Sequence, residues 1–218
     1  LPQLAQNLFA PKKYLRGSVS QFELFRKCPF AHFVKYGLKI EERRSYAFKR
    51  YDFGLILHEV MREYGEFVKR DYGSHWEDVP KEVRKAESIQ IVDAVAPRLE
   101  SEVLLSRANY RHLIERMKET VLDSIEHLTA WAALSSFQPT YLEEGFGSYG
   151  DKVKLTPLPL KGGFKLSFKG RIDRIDVHST TPYYLIIDYK THTIAINLFE
   201  VYYGLRLQLL VYLLVGRE

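Results

Sequence analysis

Two β-patterned runs near the end of the chain, each carrying a carboxylate, restrict the fold more than any other feature. Phe164–Val177 alternates along its length, and Gly162 and Gly163 mark the turn before it. Tyr183–Tyr189 is a short apolar run with a turn of its own in front. Alternation with a period of two is what a strand with unlike faces requires, and two such runs close in sequence read as a hairpin. That hairpin brings Asp173, in the first run, toward Asp188, at the end of the second. Tyr141–Phe146 reads as an earlier strand.

Before Pro139 the pattern is helical. Ser18 or Ser20 caps a first helix, and Glu23 stands three residues after Ser20, as a capping box requires. The aromatic series Phe22, Phe25, Phe30, Phe33 and Tyr36 is interrupted by Pro29, which predicts a short helix, a break and a second short helix. Leu57, Val60, Met61, Tyr64 and Val68 recur at helical spacing in a clearer helix from Asp52 to about Arg70. Lys81–Ser106 and Tyr110–Leu134 continue the pattern, with Pro97 kinking or splitting the first. Leu198–Val215 returns to helix. Helices, then strands, then a helix predict a mixed α/β or α+β domain with a helical insertion at about residues 80–135. Residues 1–17 read as a lead-in and 18–218 as one domain. The chain opens at Leu1 without methionine and stops at Glu218 just after an amphipathic pattern. The expectation is a piece of a longer polypeptide, truncated at its C-terminal end.

The 218 residues, 46% hydrophobic, hold enough apolar material for one well-buried core. No stretch approaches the roughly 20 apolar residues of a membrane span. The most apolar, Leu205–Val215, is interrupted by Arg206 and Gln208. With no basic leader ahead of an apolar run at Leu1–Ala10, the expectation is a soluble, cytoplasmic protein without a membrane partner. A formal net charge of +5 favours a polyanionic partner such as DNA, although a solvated basic surface has the same composition. The single cysteine, Cys28, excludes an internal disulfide framework and an all-cysteine zinc site.

The chemistry concentrates in Phe168-Lys-Gly-Arg-Ile-Asp173-Arg-Ile-Asp176 and Leu185-Ile-Ile-Asp188-Tyr-Lys190-Thr. Asp188 and Lys190 are two apart and share a strand face. A carboxylate beside an ammonium at the end of an apolar strand is costly unless a metal or a pair compensates it. Phosphodiester hydrolysis uses such a group: hard divalent ions take carboxylate oxygens, polarise the phosphate and lower the pKa of water. Asp173 and Asp188 are the candidate ligands, and Lys190 the group that orients water or stabilises developing charge. A structural Asp–Lys salt bridge across the hairpin fits the same spacing. Asp176, on the opposite face from Asp173, competes for the first carboxylate role and is otherwise expected in a surface pair. Glu143, on the earlier strand, is a further acid able to join from outside the group.

Four motifs stand in one order along most of the chain: Ser20-Gln-Phe-Glu-Leu-Phe-Arg-Lys-Cys28-Pro-Phe, Gly54-Leu-Ile-Leu-His58, the paired Asp173 and Asp188-Tyr189-Lys190 segments, and Gln208-Leu-Leu-Val-Tyr212. In this combination the chain resembles the RecB-like nuclease modules of the PD-(D/E)XK superfamily, above all the C-terminal domain of AddB-type helicase–nuclease proteins. The resemblance implies a restriction-endonuclease-like core, a central mixed sheet flanked by helices. It implies His58, Asp173 and Asp188 as metal ligands, Tyr189 as a ligand through its backbone carbonyl, and Lys190 as the catalytic lysine. Magnesium is the implied ion, with manganese supported in vitro because an imidazole nitrogen joins the donors.

Gln208 and Tyr212, four apart on one helical face, are implied to contact the DNA backbone or orient the lysine. Core packing of the tyrosine with glutamine at its margin is the alternative. In AddB-type domains the cysteine matching Cys28 joins three more in an iron–sulfur cluster, so a cluster is expected only in a longer chain. Lys35, Tyr36, Lys39, Arg43, Arg44, Lys49, Arg50 and Tyr51 suit either a phosphate-tracking strip or a solvated surface. The activity implied is that of a magnesium-dependent deoxyribonuclease cutting single-stranded DNA in double-strand-break repair and recombination, beside an AddA-type helicase partner. No Gly-x-x-x-x-Gly-Lys-Ser/Thr loop is present, so ATP-driven unwinding comes from elsewhere. The alternatives are a stand-alone CRISPR-associated-type exonuclease of the same superfamily and a non-catalytic DNA-binding scaffold.

Overall fold

A computed structural model describes residues 2–41, 50–99, 108–148, 150, 151, 153, 155–191 and 195–217. The elements are helices α1 (Pro2–Phe9), α2 (Val19–Lys27), α3 (Pro29–His32), α4 (Arg50–Tyr72), α5 (Lys81–Leu99), α6 (Ala108–Ala132), α7 (Leu198–Tyr202) and α8 (Gln208–Val215). The strands are β1 (Tyr14–Ser18), β2 (Phe137–Phe146), β3 (Leu158–Pro159), β4 (Lys165–His178) and β5 (Tyr184–Ile187). They form a mixed sheet in the order β1-β4-β2, with β3 and β5 also paired to β4. β1 runs parallel to β4, while β3 and β5 run antiparallel to it. Mixed strands with flanking helices are the restriction-endonuclease-like α/β arrangement expected.

The chain divides into two compact units. One comprises Leu1–Ser45, Glu144–Ile172 and Ile194–Glu218, the other Tyr46–Glu143 and Asp173–Thr193. β2 and β4 each contribute residues to both.

In the second unit, α4 buries the stripe that its periodicity marks: Leu57, Val60, Met61, Tyr64 and Val68. These side chains form one cluster with Ile91, Val92 and Val95 of α5, Met117, Val121 and Ile125 of α6, and Trp76. Truncating any large member to alanine costs about 2–5 kcal/mol, because the cavity refills only in part. Gly65 lets α4 approach β2 closely, since a Cβ there would stand 2.6 Å from the Leu142 side chain. α5 and α6 occupy the span read as an insertion, and Pro97 lies in the last turn of α5, close to the end of the described helix.

In the first unit, Ser18 caps α2 by accepting a hydrogen bond from the Gln21 amide, a contact typically worth about 1 kcal/mol. The Ser20–Glu23 capping box does not form. Glu23 instead accepts from the Leu207 amide at 2.6 Å and ties α2 to the start of α8. Cys28 breaks the helix, Pro29 opens α3, and the Cys28 sulfur accepts from the Ala31 amide. The stretch read as a lead-in carries α1 and most of β1, which pairs with β4 from Tyr14 to Ser18. The single helix expected over Leu198–Val215 is two, because Gly204 takes φ +71° and the chain between Tyr203 and Leu207 leaves helical geometry. Among the described residues no helix is long and apolar enough to cross a membrane. Arg43, Arg44 and Lys49 lie outside the described residues, as do the side chains of Arg50 and Tyr51.

Candidate active site

The β4–β5 ladder pairs Arg174 with Ile187, Ile175 with Ile186 and Asp176 with Leu185. One step further in the same register sets Asp173 against Asp188. Two like charges directly across a ladder repel, so this end of the hairpin needs positive charge. α4 supplies some of it. His58 Nδ1 stands 3.2 Å from Asp173 Oδ1 and 3.2 Å from Glu143 Oε1. His58, Glu143 and Asp173 offer donor atoms that all lie within 4.8 Å of one another.

The electrostatics follow from that crowding. Hydrogen bonds to Asp173 and then Glu143 outweigh burial and push the His58 imidazole up to about 10, so in the metal-free chain it is an imidazolium. Burial pushes the Asp188 carboxyl up, and the neighbouring Asp173 acts in the same direction, against the ammonium of Lys190. Lys190 Nζ lies 2.5 Å from Asp188 Oδ2, with the lysine one-third exposed. The salt bridge that the Asp-x-Lys spacing allows is therefore present, next to the carboxylate group.

Glu143 is more central than the sequence suggested. Its backbone adopts φ +49°, the left-handed region that a non-glycine residue occupies at a cost of about 1–3 kcal/mol. Such a twist in a strand re-aims a side chain, and here the carboxylate meets His58. The available signal was an acidic pair followed by glycine, Glu143-Glu-Gly145, at the end of a strand.

Asp173 is fixed from a second side. Its Oδ2 accepts a 2.7 Å hydrogen bond from the Tyr189 amide, leaving Oδ1 toward His58. The Tyr189 ring packs against the helical core and meets His58 edge-on, with centroids 6.1 Å apart. Asp176 makes no surface pair. It is fully buried and accepts two hydrogen bonds, of 2.6 and 2.7 Å, from the Arg174 guanidinium. Alternation shows which face of a strand a residue occupies but not whether that face is covered; here both faces of β4 are buried between Ile172 and Asp176.

Gln208 and Tyr212 belong to the other unit. Gln208 Nε2 donates to the Tyr212 hydroxyl at 2.9 Å, and that hydroxyl donates to the Arg171 carbonyl at 2.8 Å. The pair thus fastens α8 to β4 at the edge of a cavity of about 210 Å³, lined also by Ser18, Ser20, Glu23 and Lys169. Gly170 leaves room for the Phe146 ring, which a Cβ would meet at 2.8 Å, and Phe146 meets Tyr212 edge-on. Cys28 is half-buried, and one thiol does not supply the four ligands of an iron–sulfur cluster.

The donor set of carboxylates plus one imidazole suits a six-coordinate ion of the magnesium or manganese type, with water completing the shell. Comparison with known proteins agrees. The PD-(D/E)XK nuclease superfamily pattern matches residues 16–218. The relatives are B-type subunits of ATP-dependent helicase/deoxyribonucleases. To that of Pelotomaculum thermopropionicum the chain is 39% identical over 206 residues, covering 94% of this chain and 18% of the relative. To that of Desulfitobacterium hafniense it is 40% identical over 218 residues, covering 98% of this chain and 17% of the relative. For the Moorella thermoacetica protein the identity is 38% over 216 residues, with 97% and 18% covered. The chain therefore spans less than a fifth of the length of these relatives. A match over nearly the whole chain, together with an aspartate facing an Asp-x-Lys segment across a hairpin, makes this chain a member of the PD-(D/E)XK nuclease superfamily.

Proposed function

We propose that this chain is the metal-dependent DNA-cutting module of a helicase–nuclease, hydrolysing phosphodiester bonds of single-stranded DNA. The observation that carries the reading is the convergence of His58, Glu143 and Asp173, with Asp188 and Lys190 beside them. Asp173, Asp188, Glu143 and His58 would hold the ion, Mg²⁺ with Mn²⁺ as a substitute, and the Tyr189 carbonyl is a further ligand implied by the family. A divalent ion there supplies Lewis acidity to the phosphate and lowers the pKa of water. Lys190, on the same strand face as Asp188, orients the attacking water or meets the charge that develops on the phosphate oxygens. Water adds to phosphorus as one P–O ester bond breaks, leaving a phosphate monoester and a hydroxyl.

Gln208, Tyr212 and the basic residues of the other unit are proposed to carry the DNA backbone. The names of the relatives extend the reading to an AddA-type helicase partner that delivers single strands during double-strand-break repair and recombination. We read α5 and α6 as an addition to the nuclease core. The test is cleavage of end-labelled single-stranded DNA with Mg²⁺ or Mn²⁺, with EDTA and the Lys190→Ala protein alongside. Metal-dependent cleavage lost in the variant supports the proposal. Tight DNA binding without cleavage, unchanged by Asp188→Ala, would mark a scaffold instead. Strong cleavage that a helicase partner leaves unaffected would favour a stand-alone exonuclease.

A further inference from the structure

Behind the carboxylate group, on the opposite face of β4, lies a buried charged assembly that the hydrolytic chemistry does not use. Arg174 and Asp176 are both fully buried and joined by two short hydrogen bonds. The guanidinium stacks on Trp76, 4.5 Å from the ring centroid. It also faces the hydroxyl of Tyr189. Arg174 Nη1 and the Tyr189 hydroxyl have no other hydrogen-bond partner among the described residues, which leaves the interaction between them to offset their burial.

A buried ion pair is rarely the most stable filling for a core. Apolar side chains of similar volume are often as good or better, so such a pair is a candidate for a role other than stability. Here the route to the site is short. Tyr189 projects its side chain to Arg174, while its amide donates to Asp173 Oδ2. The other oxygen of Asp173 meets His58. Tyr189 also lies between Asp188 and Lys190 in the chain, so fixing its ring fixes the main chain that carries both.

We propose that Arg174 is a positioning residue for the metal site, a role that rests on the nuclease reading above: clamped by Asp176 and Trp76, it holds Tyr189, and Tyr189 aims Asp173, Asp188 and Lys190. Groups that orient metal ligands typically change metal affinity or activity about 10–100-fold when removed.

The test uses the 218-residue chain with Tyr189→Phe, which deletes only the hydroxyl, and with Arg174→Met/Asp176→Leu, which replaces the pair by apolar side chains. Three quantities are read: the melting temperature, the exchange rate of the residue 189 amide in metal-free protein, and Mn²⁺ affinity by calorimetry. The expected result is a melting temperature near wild type, faster exchange at residue 189 and Mn²⁺ binding weakened about tenfold or more. If the double variant does not fold, Tyr189→Phe alone decides. Wild-type exchange and Mn²⁺ affinity in the folded variants would overturn the positioning role while leaving the metal site intact. Wild-type protein that binds no Mn²⁺, or binds it independently of Asp173, would overturn the site reading and the positioning role with it.

Discussion

His58 holds one nitrogen between two carboxylates, and the proton on it stands in for the charge that a divalent ion brings. Metal and proton therefore compete. The imidazole, raised to about 10 in the fold, must lose its proton to become a ligand. Mn²⁺ binding is expected to strengthen as pH rises toward 10 and to release about one proton at pH 8, read by calorimetry in buffers of different ionisation enthalpy. The same shift acts on folding with a definite sign. A histidine whose folded value exceeds its unfolded value of about 6.5 contributes stability in full below 6.5, and that contribution is lost as pH rises through about 10. His58→Ala should flatten both dependences, and unchanged proton release in that variant would remove His58 from the ligand set. Asp188 behaves in the opposite way, because burial and Asp173 both disfavour its charge. Asp188→Asn is expected to abolish cleavage while stabilising the metal-free protein by about 0.2–1 kcal/mol, the scale of a cross-strand pair. Urea unfolding in EDTA measures this, and a clear loss of stability would mean that the Lys190 contact outweighs the repulsion.

At the level of elements, two glycines separate conformational cost from steric cost. Gly204 takes φ +71° between α7 and α8, and a Cβ there meets only the flexible Arg26 side chain, at 3.3 Å. Gly147 takes φ +73° after β2, but its Cβ would stand 2.0 Å from the backbone oxygen of Phe168. Gly204→Ala should cost roughly 1–2 kcal/mol for the left-handed conformation. Gly147→Ala should cost more, because a paired strand cannot move aside. Urea midpoints rank the two variants, and equal losses would contradict the close approach at Gly147. These positions also show what the sequence could carry. The stripe on α4 and the alternation in β4 and β5 are repeated signals, summed over many residues, and they located His58, Asp173, Asp188 and Lys190. The break at Gly204 rests on one backbone angle inside an otherwise continuous helical pattern, so Leu198–Val215 read as a single helix. Glu143 depends on one left-handed residue, and Asp176 on whether helices cover the second face of β4. Neither has a periodic trace.

For the molecule as a whole, the core cluster and the donor group fall in the same compact unit. Ile56 to Ala132 supply that core, and His58, Glu143, Asp173, Asp188 and Lys190 all belong to the unit. Glu143 and Asp173 are the residues at which the chain leaves and re-enters it. An ion held by this group stabilises only those states in which the unit is folded, by about 2.7 kcal/mol at one hundred times its dissociation constant. Hydrogen exchange with and without Mn²⁺ is therefore expected to show added protection in α4 and at β5, carried through the shared core to α5 and α6. α2 and α8 belong to the other unit, and their amides should respond less if the two units open separately. Equal protection in α2 and α8 would mean that the units unfold together as one cooperative body. No added protection in α4 and β5 under saturating Mn²⁺ would place the ion elsewhere, and the site built on His58, Glu143 and Asp173 would have to be abandoned.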